Sequence, residues 1–298
     1  MTIAELNQKY AIPGHIEFAI GKGELPTAII RNKLAFSEVS LYGAHVLKYL
    51  PNHEKDILWM SDLSIFEKGK PIRGGIPVCF PWFGPHATDI SKPQHGFARL
   101  LNWDVLATSA LPNGSTQLRL GLTNSPFTNA LWPYAFQAQV TIEVGASLDV
   151  TLSYTNTGNE TFVCSDALHT YFNISDVKSV KIHGLGGVAY FKGFEKEATG
   201  KQLEEVLQIA QEENRRYINH SGDCIIEDAG LKRKIHVSKK GSNVTVVWNP
   251  WESARNIPDF PDEGYKTMVC VEAVNTYNDV VTVTPGKSFS VSTKIWVQ

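Results

Sequence analysis

Two arginines, Arg73 and Arg99, and a histidine, His95, sit where nothing close in sequence would pair with them. Around them run Pro71-Ile72-Arg73-Gly74-Gly75-Ile76-Pro77-Val78-Cys79-Phe80-Pro81-Trp82-Phe83-Gly84-Pro85-His86 and Gln94-His95-Gly96-Phe97-Ala98-Arg99. Proline and glycine interrupt this stretch too often for a helix interior, and it is too apolar for a solvated loop. Guanidinium forks held in a rigid, aromatic-walled surface match the oxygens of a phosphate or carboxylate bidentately. The chemistry indicated is local recognition of an anion.

Two other side chains could move protons. His169 ends a strand-like run in Asp166-Ala167-Leu168-His169-Thr170-Tyr171-Phe172; alone, such a histidine is more often packed than catalytic. Glu272 lies in Met268-Val269-Cys270-Val271-Glu272-Ala273-Val274, where period-two alternation puts Met268, Cys270 and Glu272 on one face. A carboxylate in line with apolar neighbours is costly unless paired or functional, and an ion pair with an arginine would account for it structurally. Together the imidazole and the carboxylate make a general acid and a general base near neutral pH, suited to a neutral hydroxyl substrate. Trp248 and Trp251, before the Pro-rich 256–266, offer aromatic faces beside polar groups. Those faces suit either a sugar ring or loop packing. The motifs G-x-S-x-G, G-x-G-x-x-G and the phosphate-binding P-loop do not occur, so triad hydrolases, dinucleotide enzymes and NTPases lack their signatures.

Such residues need a frame. Alternating or β-branched runs recur at 27–31, 34–41, 44–50, 103–108, 116–123, 136–144, 147–154, 161–167, 180–183, 224–227, 234–238, 243–248, 268–273, 280–283 and 288–297. Their spacing predicts an all-β antiparallel sandwich or barrel. Asn156-Thr157-Gly158-Asn159 predicts a hairpin turn, 200–216 predicts a short helix, and 61–66 and 128–132 predict single helical turns. With neither repeat nor linker, residues 1–298 read as one domain. The 298 residues are 43% hydrophobic and carry a net charge of −2, which supports a large core and gives no general attraction to nucleic acid or to an anionic membrane. Cys79, Cys164, Cys224 and Cys270 show no metal-type spacing and read as buried thiols in a reducing compartment. Met1–Gly14 has no apolar signal core, and no run approaches a membrane span. A cytoplasmic location is the expectation.

Taken in order, Arg73-Gly74-Gly75-Ile76-Pro77, Phe80-Pro81-Trp82-Phe83-Gly84-Pro85, Gln94 to Arg99, Ala167 to Phe172, Trp248-Asn249-Pro250, Pro261 to Thr267 and Val271-Glu272 resemble the hexose-6-phosphate mutarotases. These are the glucose-6-phosphate 1-epimerase branch of the aldose 1-epimerase superfamily. The resemblance runs from about Leu41 to near the C-terminus. It implies a large antiparallel β supersandwich of the galactose mutarotase type, without cofactor, that interconverts the α and β anomers of a hexose 6-phosphate; a monomer with a small-molecule sugar-phosphate substrate and no metal is the expectation. It also implies His169 as the acid that protonates the ring oxygen and Glu272 as the base that deprotonates the anomeric hydroxyl. Arg73 and Arg99 would clamp the 6-phosphate, with Gln94 and His95 on sugar or phosphate. One departure stands out: where the family has Asp-Arg-x-Tyr, this chain reads Asn214-Arg215-Arg216-Tyr217. Asn214 would keep the hydroxyl contact without charge, unless Glu213 replaces it through a slip of one residue. Two other readings remain open. One is a non-catalytic sugar-phosphate binder. The other is a glycosidase or lyase with a second carboxylate from Asp166, Asp259 or Asp262.

Overall fold

The computed structural model describes residues 1–193 and 199–298. Among these residues, strands gather into a nine-stranded sheet, an eight-stranded sheet, a four-stranded N-terminal meander and a two-stranded ribbon, and every ladder is antiparallel. The nine-stranded sheet holds the cleanest alternation. Ser147–Asn156 buries every second residue and lies between Phe136–Val144 and Ser288–Val297, as expected of strands with one face on a core. The runs expected at 116–123, 136–144 and 288–297 have the observed strand boundaries.

The eight-stranded sheet carries the candidate site. Its centre runs Glu213–Tyr217, Val244–Asn249, Met268–Asn275 and then Asp166–Leu168, with Val78–Cys79 beyond. Val247, Val271 and Ala273 on one face join the main core, which also holds Leu152, Val291 and Ile295 of the nine-stranded sheet. On the opposite face lies a smaller apolar cluster of Cys79, Ala167, Val244, Val246 and Val274, with Phe83 and Trp248 against it. Burial on both faces explains why Met268–Asn275 is buried at every position.

Local expectations fare unevenly. The helix expected over 200–216 is absent: Gly200–Lys201, Val206–Leu207 and Glu213–Tyr217 are strands. Its helix-like apolar spacing is overridden by pairing of Leu207 with Ile182 and of Arg215 with Val247, while Leu203 stays 78% exposed. The turn at Asn156 joins no hairpin, because the strand after it, Phe162–Cys164, pairs with Val281–Val283 instead. Residues 61–66 form turns without a helix. The turn expected at 128–132 is the end of a helix, Pro126–Leu131, capped by Ser125. An unforeseen helix, Ile3–Tyr10, starts at a capping box in which Thr2 and Glu5 bond each other's backbone N–H. All four cysteines are free and buried. Among the described residues no helix is long and apolar enough to cross a membrane.

Candidate active site

His169 and Glu272 face each other across one ladder. Asp166–Leu168 and Tyr171–Asn173 both pair with Met268–Asn275, in the registers Leu168 with Ala273 and Tyr171 with Cys270. Continuing either register sets His169 opposite Glu272, and such cross-strand neighbours on one face are in direct reach. The imidazole Nδ1 lies 3.2 Å from Glu272 Oε1. The strand opens here because the amides of His169 and Tyr171 donate to Pro77 and Gly75 instead. The Arg73-Gly74-Gly75 segment is therefore stitched directly to the histidine strand. Gly75 is required at that seam: at φ +62 a Cβ would stand 2.2 Å from the Val46 carbonyl oxygen.

Around the pair, Arg73, Phe83, Gln94, His95, Arg99 and Asn214 line a cleft of about 250 Å³, with Tyr171, Val246, Trp248 and Ile257 completing it. That volume is below the roughly 300–1,000 Å³ of drug-sized pockets and suits a small ligand. His169, Glu272, Arg73, Gln94, His95, Arg99 and Asn214 thus line one cleft, together with Trp248, whereas Trp251 lies outside it and packs on Tyr265. Tyr171, which carries no separate signal in the sequence, stacks its ring on His169 at 4.8 Å and 7°, and Trp248 meets both rings edge-on.

Burial shapes the protonation of the pair. It pushes the Glu272 carboxyl well above the usual carboxylate range. It also holds His169 well below an ordinary imidazole, with the charges of Arg99 and Arg73 adding to the effect. Among the described residues Glu272 Oε2 has no hydrogen-bond partner, and His169 Nδ1, although close to Oε1, has no aligned one. Buried polar atoms left unmatched cost free energy unless something else satisfies them. Cys270 Sγ stands within 4.8 Å of both groups, a donor set of N, S and O. Two guanidinium groups beside it make the cleft unfavourable for a cation.

The two arginines differ. Arg73 spends Nε and Nη2 on the Asp259 carboxylate, with Nη2 at 3.0 Å, and donates from Nη1 to the Tyr171 hydroxyl at 3.2 Å. Burial opposes its charge, but Tyr171 and Asp259 together raise its pKa above that of an ordinary arginine. Arg99 is 8% exposed, donates from Nη2 to the Gln94 carbonyl, and leaves Nε buried without a partner. No carboxylate lies within ion-pair distance of it among the described residues. His95 is held in the left-handed region at φ +62. Its Nδ1 accepts from the Gly84 amide at 3.1 Å, so its proton sits on Nε2. Burial and the positive charge of Arg99 keep it neutral.

The other acidic residues fall away from the cleft. Asp166 projects from the opposite face of its strand and is bonded to Tyr154 and Asn275. Asp259 is the counter-ion of Arg73, and Asp262 is exposed. Glu213 points away from Asn214, as neighbours in a strand do, and pairs with Arg215 at 3.0 Å. It therefore does not replace the family aspartate. No second carboxylate opposes Glu272 among the described cleft residues, which removes the geometry a glycosidase needs.

This architecture defines a galactose mutarotase-like β supersandwich. A solved galactose 1-epimerase from Lactobacillus acidophilus shares the fold at TM-score 0.75 and 13% identity, with 95% of this chain and 98% of that chain covered. The family model for aldose 1-epimerase matches residues 28–296, and the chain belongs to that family. Among its relatives are proteins of Salmonella typhimurium and Escherichia coli provisionally named glucose-6-phosphate 1-epimerase, 34% and 35% identical. Each alignment covers 84% of this chain and 83% of the relative. A provisionally named mutarotase structure from Salmonella typhimurium superposes at TM-score 0.89 with 30% identity, covering 97% of this chain and 95% of that one.

Proposed function

We propose that this protein interconverts the α and β anomers of hexose 6-phosphates, glucose 6-phosphate foremost. His169 acts as general acid and Glu272 as general base. Arg99 and Arg73 receive the phosphate, Gln94 and His95 contact sugar or phosphate, and Asn214 bonds a ring hydroxyl. The observation that carries this reading is the buried His169–Glu272 pair, 3.2 Å apart, inside a cleft lined by two arginines.

The chemistry follows from the substrate. In a cyclic hemiacetal the hydroxyl O1 and the ring oxygen O5 share one carbon, so an acid and a base serving them must be near neighbours. Glu272 takes the proton from O1 and the O1–C1 bond becomes a carbonyl. The C1–O5 bond breaks, and its electron pair stays on O5, which takes a proton from His169. Rotation about C1–C2 followed by the reverse steps yields the other anomer. Before ring opening the pair is carboxylate and imidazolium; afterwards it is carboxylic acid and neutral imidazole. Both states hold the same number of protons, and burial favours the second. His95, with its proton on Nε2, serves as a neutral donor rather than a base.

The test is NMR exchange between the anomers of glucose 6-phosphate, with free glucose and galactose in parallel. The reading expects acceleration of the phosphorylated sugar well above the free ones. Tight binding of glucose 6-phosphate with no acceleration would make the protein a sugar-phosphate sensor.

A further inference from the structure

Asp259, Arg73, Tyr171 and His169 form an unbroken chain. Asp259 holds one edge of the Arg73 guanidinium. Arg73 Nη1 reaches the Tyr171 hydroxyl, and the Tyr171 ring lies parallel on the His169 imidazole. The Tyr171 ring also stacks on Trp59, at 5.9 Å and 17°, so two aromatic contacts hold the phenol in place. The far end of the chain is anchored as well, because Ser61 Oγ donates to the Asp259 carbonyl and Ser64 Oγ accepts from the Arg73 amide. An anion arriving at Arg73 must share the guanidinium with Asp259, and any shift of that group is passed to the ring on which His169 rests.

We propose that an oxyanion at Arg73 and Arg99 activates the His169–Glu272 pair, beyond serving as a handle, and that Tyr171 is the positioning residue that transmits its presence. This rests on the function proposed above and deepens it by giving the phosphate a second role. A dianion neutralises the two positive charges that disfavour an imidazolium at His169, so the acid can carry its proton when the anion is present. Binding energy from a part of the substrate remote from C1 is then used where it raises turnover. It follows that the anion need not be attached to the sugar.

The experiment uses the intact protein and D-xylose, a pyranose lacking C6 and its phosphate, with sulfate supplied separately at constant ionic strength. Sulfate is a tetrahedral dianion too weakly basic to open the ring by itself. Mutarotation of xylose is expected to rise saturably by roughly 5- to 150-fold in kcat/KM, the usual range of coupling between two sites. Tyr171→Phe keeps the stacked ring but loses the hydroxyl, and it is expected to shrink the ratio of rates with and without sulfate. A purely structural effect would scale both rates alike and leave that ratio at its wild-type value, which would overturn the role of Tyr171. A xylose rate that stays flat with sulfate, while glucose 6-phosphate is turned over, overturns the activation. Failure to turn over glucose 6-phosphate at all would instead defeat the function proposed above.

Discussion

Asp166 and Glu272 are both buried carboxylates, on strands that pair with each other, yet they face opposite sides of one sheet. Asp166 accepts from the Tyr154 hydroxyl at 2.6 Å and from Asn275 at 2.9 Å. Glu272 keeps Oε2 without a partner and looks into a cleft. Burial raises the pKa of each, that of Asp166 to about 7. A raised pKa therefore does not distinguish them; satisfaction of their oxygens does. Where the fold supplies every partner the carboxylate serves structure, and where it withholds one the position is open to a ligand.

The sharpest way to break this contrast is to neutralise each acid in turn. Glu272→Gln keeps the shape but cannot accept a proton, and kcat for glucose 6-phosphate anomerisation is expected to fall by about 10²–10⁴-fold. His169→Ala should lose a similar amount. Because Glu272 has an unsatisfied oxygen, Glu272→Gln should unfold at the same denaturant concentration as wild type or a higher one. A variant that loses stability and retains its rate would show that the two carboxylates had been assigned the wrong way round.

The same contrast divides the arginines. Among the described residues Arg99 has no carboxylate counter-ion and its Nε is idle, whereas Arg73 is already engaged by Asp259. Arg99→Ala should raise KM for glucose 6-phosphate by roughly 10- to 150-fold, as expected for losing about 1.5–3 kcal/mol of hydrogen bonding to a charged group. KM for free glucose should hardly move. Equal shifts for both sugars would remove the phosphate from this end of the cleft.

Much of this was legible from sequence, for physical reasons. Strands such as Phe136–Val144 declare themselves because one face meets a core and the other meets water. The Gly/Pro-rich arginine segment stood out because its composition fits neither helix nor solvated loop. The helix expected at 200–216 failed because Val206 and Leu207 find their apolar neighbours on another strand, not on a helix face. Nothing near His169 indicates that Glu272 lies opposite it, or that Asp259 will hold Arg73. Those pairings depend on register between distant strands and loops, and a local pattern carries no register. The capping box of Thr2 and Glu5, by contrast, is local, and its S/T-x-x-E spacing is readable in the sequence itself.

Asp166 gives a stability prediction of intermediate size. Asp166→Ala strands the Tyr154 hydroxyl and the Asn275 amide, at about 1–3 kcal/mol for each group left unsatisfied. The cleft face is untouched, so the folded fraction should keep its rate per molecule. The carboxyl also links stability to pH. Its folded pKa of about 7 lies above the unfolded value of 3.8, so the native state binds the extra proton between them. Its contribution is full below the unfolded value and is lost as pH rises through the folded one. Asp166→Asn should flatten that part of the slope in denaturant titrations on either side of the window. An unaltered slope would mean that Asp166 is ionised in the folded protein.

The smallest expected effect is at Asn214, on the strand that pairs with Trp248 and on the wall of the cleft. Here the chain carries asparagine where the resemblance implies an aspartate, and the neighbouring acid Glu213 is turned away to Arg215. Asn214→Asp adds a charge to the hydroxyl contact proposed for asparagine. Such a contact is worth about 0.5–1.5 kcal/mol when neutral and roughly twice that when charged. The aspartate variant should therefore gain about 2- to 10-fold in kcat/KM for a sugar that presents a hydroxyl there. It should gain nothing for the deoxy sugar that lacks that hydroxyl, because the extra charge then has no donor to meet. A gain with both sugars would place Asn214 away from the ring and show that the contact had been lost from this protein.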